Sequence, residues 1–134
     1  MSVVKVKSLD HFVLKVKDQK ASLDFYVNIL GLTPERVELW QAGKVGFPSV
    51  RLNAFMIIDF FKQSDSGDLA TKNNVDHICL EVEPMDLDLL KTQLEGLNVS
   101  VVEGPGTRWG AKGIGMVLCI QDPDQNVIEL RYYE

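Results

Sequence analysis

The sequence predicts an α+β fold made of two βαβββ modules whose sheets pair into one curved mixed sheet. Three observations carry this. Asp10-His11-Phe12-Val13-Leu14-Lys15-Val16 recurs as Asp76-His77-Ile78-Cys79-Leu80-Glu81-Val82, and both copies alternate polar with apolar residues as a half-buried strand does. Each copy is followed by an amphipathic helical stretch closed by a glycine, Gly31 or Gly96. Finally, Ile57-Ile58-Asp59-Phe60 matches Val127-Ile128-Glu129-Leu130 in pattern, so an acid recurs where a histidine recurred. One module of about 60 residues buries too little apolar surface to stand alone. The expectation is a single domain over 1–134, with modules at about 7–62 and 74–133.

The elements follow in order. In the first module, Leu23, Tyr26, Val27 and Leu30 share a stripe over about 19–30, and Asp18 is placed to cap that helix. Strands are expected over 36–41, 49–53 and 55–61. Lys62 to Asn74 is polar and includes Ser64, Ser66 and Gly67, which suits a surface linker. In the second module, Pro84 opens a helix over about 85–95 with Leu87, Leu90 and Leu94 on one face and Gly96 as its C′ residue. Strands are expected over 98–102, 114–120 and 126–132. Between the last two, Asp122-Pro123-Asp124-Gln125-Asn126 is a turn, because proline fixes φ and Asp and Asn cap local amides.

Composition narrows the function classes. The chain has 134 residues, 46% of them hydrophobic and 25% charged, with 10 glycines and 5 prolines, as one globular domain would. Its net charge of −5, with no basic run, supplies no attractive field for nucleic acid or an anionic membrane surface. No stretch approaches the roughly 18 apolar residues of a membrane span. Cys79 and Cys119 both lie among aliphatic residues, so two buried thiols in a reducing, cytoplasmic compartment are expected, with no disulfide.

The chemistry-bearing residues are few. The only two histidines, His11 and His77, each follow an aspartate at the start of an equivalent strand. With the recurring acids Asp59 and Glu129 they form a two-histidine, two-carboxylate set. Imidazole and carboxylate donors without thiolates suit an open Zn, Ni, Mn, Fe or Co site and not a closed structural zinc site. A metal there would polarise a carbonyl or stabilise an enediolate, while a weakly held carboxylate moves a proton between adjacent carbons. If Asp59 falls short, His11, His77 and Glu129 still make a facial set of three, which favours addition or redox chemistry. The glycine-rich stretch Glu103 to Gly113 is expected as a loop over a ligand, with Arg108 as a bidentate clamp and Lys112 as a mobile charge. It lacks the order GxxxxGK of a P-loop. Arg51, Asn53 and Met56 are further candidates to line the concavity. Trp40 and Trp109 read as packing residues.

These motifs resemble the vicinal oxygen chelate superfamily, the glyoxalase, bleomycin-resistance and extradiol-dioxygenase fold. The resemblance spans nearly the whole chain and rests on Asp10-His11, Ala21-Ser22-Leu23-Asp24-Phe25-Tyr26, Leu30-Gly31-Leu32, Val75-Asp76-His77, and Gly115 through Asp122-Pro123-Asp124 to Ile128-Glu129-Leu130. It implies that His11, His77 and Glu129 are metal ligands, with Asp59 in the fourth position, or Ile58 if the register slips by one. Glu129 and Asp59 would then also transfer protons; Arg108, Lys112 and Arg51 are the residues expected to touch substrate. The implied activity is that of a divalent-metal-dependent lyase or isomerase acting on a small oxygen-chelating substrate, such as a 2-oxoaldehyde thiol adduct. The alternatives on the same fold are a metal-free drug- or metabolite-binding protein, an extradiol dioxygenase and a thiol transferase. The resemblance also implies a homodimer, with no nucleic-acid or membrane partner.

Overall fold

The computed structural model describes residues 5, 7–63 and 75–134. The chain divides into two compact units, Met1–Asp68 and Leu69–Glu134. Most of the linker expected over Lys62 to Asn74 lies outside the described residues. Among those residues no helix is long and apolar enough to cross a membrane.

The first unit is a four-stranded mixed sheet with helices. Strand β1 (His11–Val16) leads to α1 (Gln19–Asp24), which continues as a π-helical turn over Phe25–Ile29. Asp18 caps α1 as the sequence predicts, accepting from the Ala21 amide at 3.0 Å. Gly31, at φ 72°, turns the chain out of the helix. There follow β2 (Thr33–Glu35), α2 (Val37–Gln41), β3 (Ser49–Asn53) and β4 (Met56–Lys62). The sheet order is β1-β4-β3-β2, with β1 and β4 parallel and the other pairs antiparallel. On one face Val50, Ile58 and Phe60 are buried together with Leu23, Phe25 and Tyr26, and the Tyr26 and Phe60 rings lie 5.0 Å apart.

Sequence and structure differ at 36–41, where a strand was expected. Val37 and Leu39, flanking Glu38, imitate a strand. Arg36 instead adopts the left-handed region, at φ 59°, and starts a helical turn in which the Trp40 amide bonds to the Arg36 carbonyl.

The second unit repeats the plan with β5 (Ile78–Glu81), α3 (Leu87–Gly96), β6 (Val101–Gly110), β7 (Gly113–Gln121) and β8 (Val127–Tyr132), in the order β5-β8-β7-β6. Leu87, Leu94, Leu118, Ile120, Ile128 and Leu130 form its buried layer. Asp86, not Pro84, marks the start of α3 by accepting from the Leu89 amide at 3.1 Å. Gly96 stays inside the helix, and Asn98 takes the left-handed position, at φ 62°. The expected glycine-rich loop is a second correction: Glu103 to Gly113 forms the end of β6 and its tight turn into β7, with Trp109 opposite Ile114. Glycines suggest a loop, but Gly104, Gly106 and Gly110 all lie within β6. The 122–126 turn is as expected, with Asp122 accepting from the Asp124 and Asn126 amides at 2.8 and 2.9 Å.

The Asp86 cap satisfies an amide that would otherwise be unpaired at the α3 terminus. Asp86→Ala is therefore expected to cost about 1 kcal/mol, read as a lower midpoint in urea with unchanged slope.

Candidate functional site

In each unit the sheet face opposite the apolar layer carries the histidine and the acid. The parallel register pairs His11 with Ile57 and Val13 with Asp59, so Asp59 shares the His11 face while Ile58 is fully buried on the other. Of the two residues considered for this position, Asp59 is therefore the one on the polar face. In the second unit Cys79 lies beside Glu129, which also faces Cys119 across the antiparallel pair. A cavity of about 300 Å³ opens over this face. His77, just before β5, and Cys79 and Glu81 on it line one side, Glu129, Arg131 and Tyr133 line it from β8 and its end, and Trp109 to Lys112 from the end of β6 and its turn into β7.

Glu129 is the buried centre of this site, only 2% exposed. Its Oε2 accepts from Arg131 Nη2 at 2.9 Å and its Oε1 from Arg108 Nη1 at 3.0 Å. Arg131, 3% exposed, spends its remaining donors on Cys79 Sγ (3.3 Å), Tyr133 Oη (3.5 Å) and the carbonyls of Arg108 (3.2 Å) and Trp109 (3.0 Å). Arg108 also pairs with Glu103, and Lys112 Nζ reaches Glu81 at 2.9 Å. Burial would raise the Glu129 pKa, but hydrogen bonds from Cys79, Arg131 and Arg108 outweigh it and hold the carboxyl below its usual value. Beside it, burial and the hydrogen bond to Glu129 push the Cys79 thiol up to about 11.

Asp59 has an analogous arrangement built from different parts. It is 5% exposed and accepts from Ser49 Oγ at 2.6 Å and Arg36 Nη1 at 3.1 Å. Arg36 also lies over the Phe47 ring, 5.7 Å from its centroid. Arg51 is paired with Glu35 at 2.6 Å and with the Asn53 and Ala54 carbonyls.

The expected metal donors divide into two kinds. His11 and His77 each have Nδ1 held at 2.7 Å by the preceding aspartate, Asp10 or Asp76, which leaves Nε2 as the donor nitrogen, an arrangement that suits a metal ligand. The carboxylates do not fit as they stand, because both Glu129 oxygens and Asp59 Oδ1 are engaged by guanidinium groups. Among the described residues no three His, Cys, Asp or Glu side chains gather as a metal cluster.

Arg108 and Lys112 do reach this site, but each meets an acid of the chain. The sequence reading gave no site role to Arg131, Cys79, Tyr133 or Arg36. Arg131 follows Glu129 by two residues in an alternating strand, so its shared face was deducible. Cys79 is exposed on the cavity side, against the expectation of a buried thiol, because it occupies the histidine face of β5; Cys119 is buried as expected. Tyr133 and Arg36 gave no sequence signal. Trp109 is 78% exposed, because it stands at the hairpin end and not in the core.

Comparison with known proteins agrees with this architecture. The family model "Glyoxalase/Bleomycin resistance protein/Dioxygenase superfamily" matches residues 8–130. Glyoxalase domain-containing protein RDO1 of Mycosarcoma maydis is 32% identical over 130 residues, covering 96% of this chain and 70% of that protein. Virulence protein STM3117 of Salmonella typhimurium is 29% identical over 128 residues, covering 96% and 85%. Among solved structures, the integron cassette protein VCH_CASS1 from the mobile metagenome of V. cholerae superposes with a TM-score of 0.73 at 25% identity, covering 99% of this chain and all of that one.

Two outcomes follow from the Glu129 network. A carboxylate whose pKa is depressed by folding stabilises the fold above its unfolded value, about 4.3, and this contribution is lost as pH falls through the folded value. The melting temperature of the wild type should therefore fall more steeply below about pH 4 than that of Glu129→Gln. At pH 7 that variant should be less stable by about 3 kcal/mol, since it leaves a buried guanidinium without its anion. Separately, with its pKa near 11, Cys79 should react with iodoacetamide at pH 8.5 about a hundredfold more slowly than an ordinary thiol, as followed by mass spectrometry of the labelled peptide.

Proposed function

The chain belongs to the Glyoxalase/Bleomycin resistance protein/Dioxygenase superfamily, and from that premise we propose that it is a small-molecule-binding member that takes an uncharged, partly flat compound into the cavity of its second unit. The observation that carries this reading is the pairing of the cavity's charged lining within itself. Glu129 is matched by Arg131, and Glu81 by Lys112. A charged ligand would have to break one of these pairs, whereas a neutral one leaves them intact. Trp109 supplies an exposed indole at the rim, and apolar contact with a few oriented polar groups is the usual composition of a ligand pocket. Those polar groups are His77, with Nε2 uncommitted, and Tyr133, whose Oη accepts from the Lys112 amide and Arg131 and so keeps its own proton to donate.

A divalent-metal-dependent lyase or isomerase is the second reading. The observation favouring it is the repeated Asp–His pair, which presents one imidazole Nε2 per unit. Bound at such nitrogens, a Zn, Ni, Mn, Fe or Co ion would supply Lewis acidity toward a substrate carbonyl. The arginine partners of Asp59 and Glu129 weigh against their joining such a site.

The primary reading is tested with 2-naphthol and 2-naphthoate, matched in ring size and differing in charge, titrated in the presence of chelator. The indole N–H resonance of Trp109 should shift saturably with 2-naphthol and at least tenfold more weakly with 2-naphthoate. Trp109→Ala should abolish 2-naphthol binding. A preference for the anion, or binding only after a divalent ion is added, would reject the reading.

A further inference from the structure

We propose that Arg131 is the resident cation of the Glu129 site: its guanidinium satisfies the carboxylate in the role a divalent ion would otherwise fill, so Glu129 belongs to an arginine clamp and is not a metal ligand. The inference rests on reading this cavity as a small-molecule site, but ion uptake is measured without any ligand and so fails or succeeds independently.

Three features support it. The guanidinium is fully committed, with Nε on Cys79 and Glu129, Nη2 on Glu129 and the Trp109 carbonyl, and Nη1 on the Arg108 carbonyl and Tyr133 Oη. Five donors are thus satisfied in a place almost closed to solvent, which is the condition for keeping a buried arginine charged. Next, the strands around it are shaped to admit it. A Cβ at Gly110 would collide with Arg131 Nη1 and Tyr133 Oη, and one at Gly115 would come within 3.1 Å of the same nitrogen and 2.8 Å of the Tyr132 carbonyl. Gly110, from the stretch that imitates a flexible loop, and Gly115 on β7 thus leave the space that the guanidinium occupies. Last, the other Glu129 oxygen is taken by Arg108. A divalent ion bound to this carboxylate would lie against two permanent positive charges, whereas a neutral water or ligand oxygen would not.

The test is equilibrium dialysis of the full-length chain against Co²⁺ after chelator treatment, read by elemental analysis and by the visible absorption of bound Co²⁺. Wild type and Glu129→Gln are expected to take up the same amount of ion. Arg131→Met, which keeps an unbranched side chain without its charge, should bind Co²⁺ at least tenfold more tightly than wild type. That gain should vanish in Arg131→Met/Glu129→Gln. Wild-type uptake of one ion per chain that weakens tenfold or more in Glu129→Gln would overturn the proposal. So would a folded Arg131→Met that gains no Glu129-dependent binding. Should Arg131→Met fail to fold, the comparison of wild type with Glu129→Gln decides the matter alone.

Discussion

A carboxylate and a guanidinium buried two residues apart on one strand set the terms for everything around them in the second unit. Neither Glu129 nor Arg131 keeps appreciable contact with water, so each depends on the other and on every remaining donor and acceptor being met. That requirement explains why β6 and β7 carry glycine at 110 and 115, why the Arg108 and Trp109 carbonyls turn toward β8, and why the Cys79 thiol lies against both charges. No buried side-chain nitrogen or oxygen among the described residues lacks a partner. An ion pair of this kind adds little net stability compared with an apolar pair, but it is intolerant of error. Its partners come from β5, β6 and β8, so one pair of charges ties three strands together beneath the cavity.

The first unit meets the same constraint with other chemistry. Asp59 is one methylene shorter than Glu129, and Ser49 stands opposite it where Cys119 stands opposite Glu129. The hydroxyl donates at 2.6 Å, and Arg36 arrives from the chain leading into α2 instead of from the strand itself. Arg36 is also partly open to solvent, so its charge is better screened than that of Arg131. The repeat thus preserves the acid and its cationic partner while exchanging the element that delivers the cation. The Glu129–Arg131 pair is the less exposed of the two.

Much of this was legible in the amino-acid order. Alternation marked His11 and His77 as opening half-buried strands, and the repeat identified equivalent strands and acids without reference to any structure; that the acids share the histidine faces follows from the parallel register. What periodicity cannot disclose is the partner a polar group finds across the sheet. Arg108 and Lys112 are expected from the sequence as cations turned toward a ligand; the acids they meet, Glu103, Glu129 and Glu81, lie on segments distant in sequence or on the same hairpin at a spacing with no helical or strand signature. The 103–113 segment was misread for a related reason. Glycine is depleted from strands on average, so its enrichment points to a loop, although at Gly110 the space is needed by a guanidinium and a tyrosine hydroxyl. The segment at 36–41 shows the converse: Val37 and Leu39 flank a charged residue as in a strand, but the left-handed Arg36 at its start redirects the backbone.

The π-helical turn at Phe25–Ile29 has a consequence for how the chain tolerates changes of length. A π turn holds about one residue more than an α turn over nearly the same rise, so it is the place where an extra residue is stored without rotating the chain beyond it. Deleting one residue there would let the segment relax to ordinary α geometry, with Gly31 and β2 kept in phase. The same deletion within α3 would swing Leu94 about 100° around the helix axis and off the sheet. The two helices of this repeat are therefore unequal in their capacity for insertion and deletion, and length variation between related chains should collect in the first.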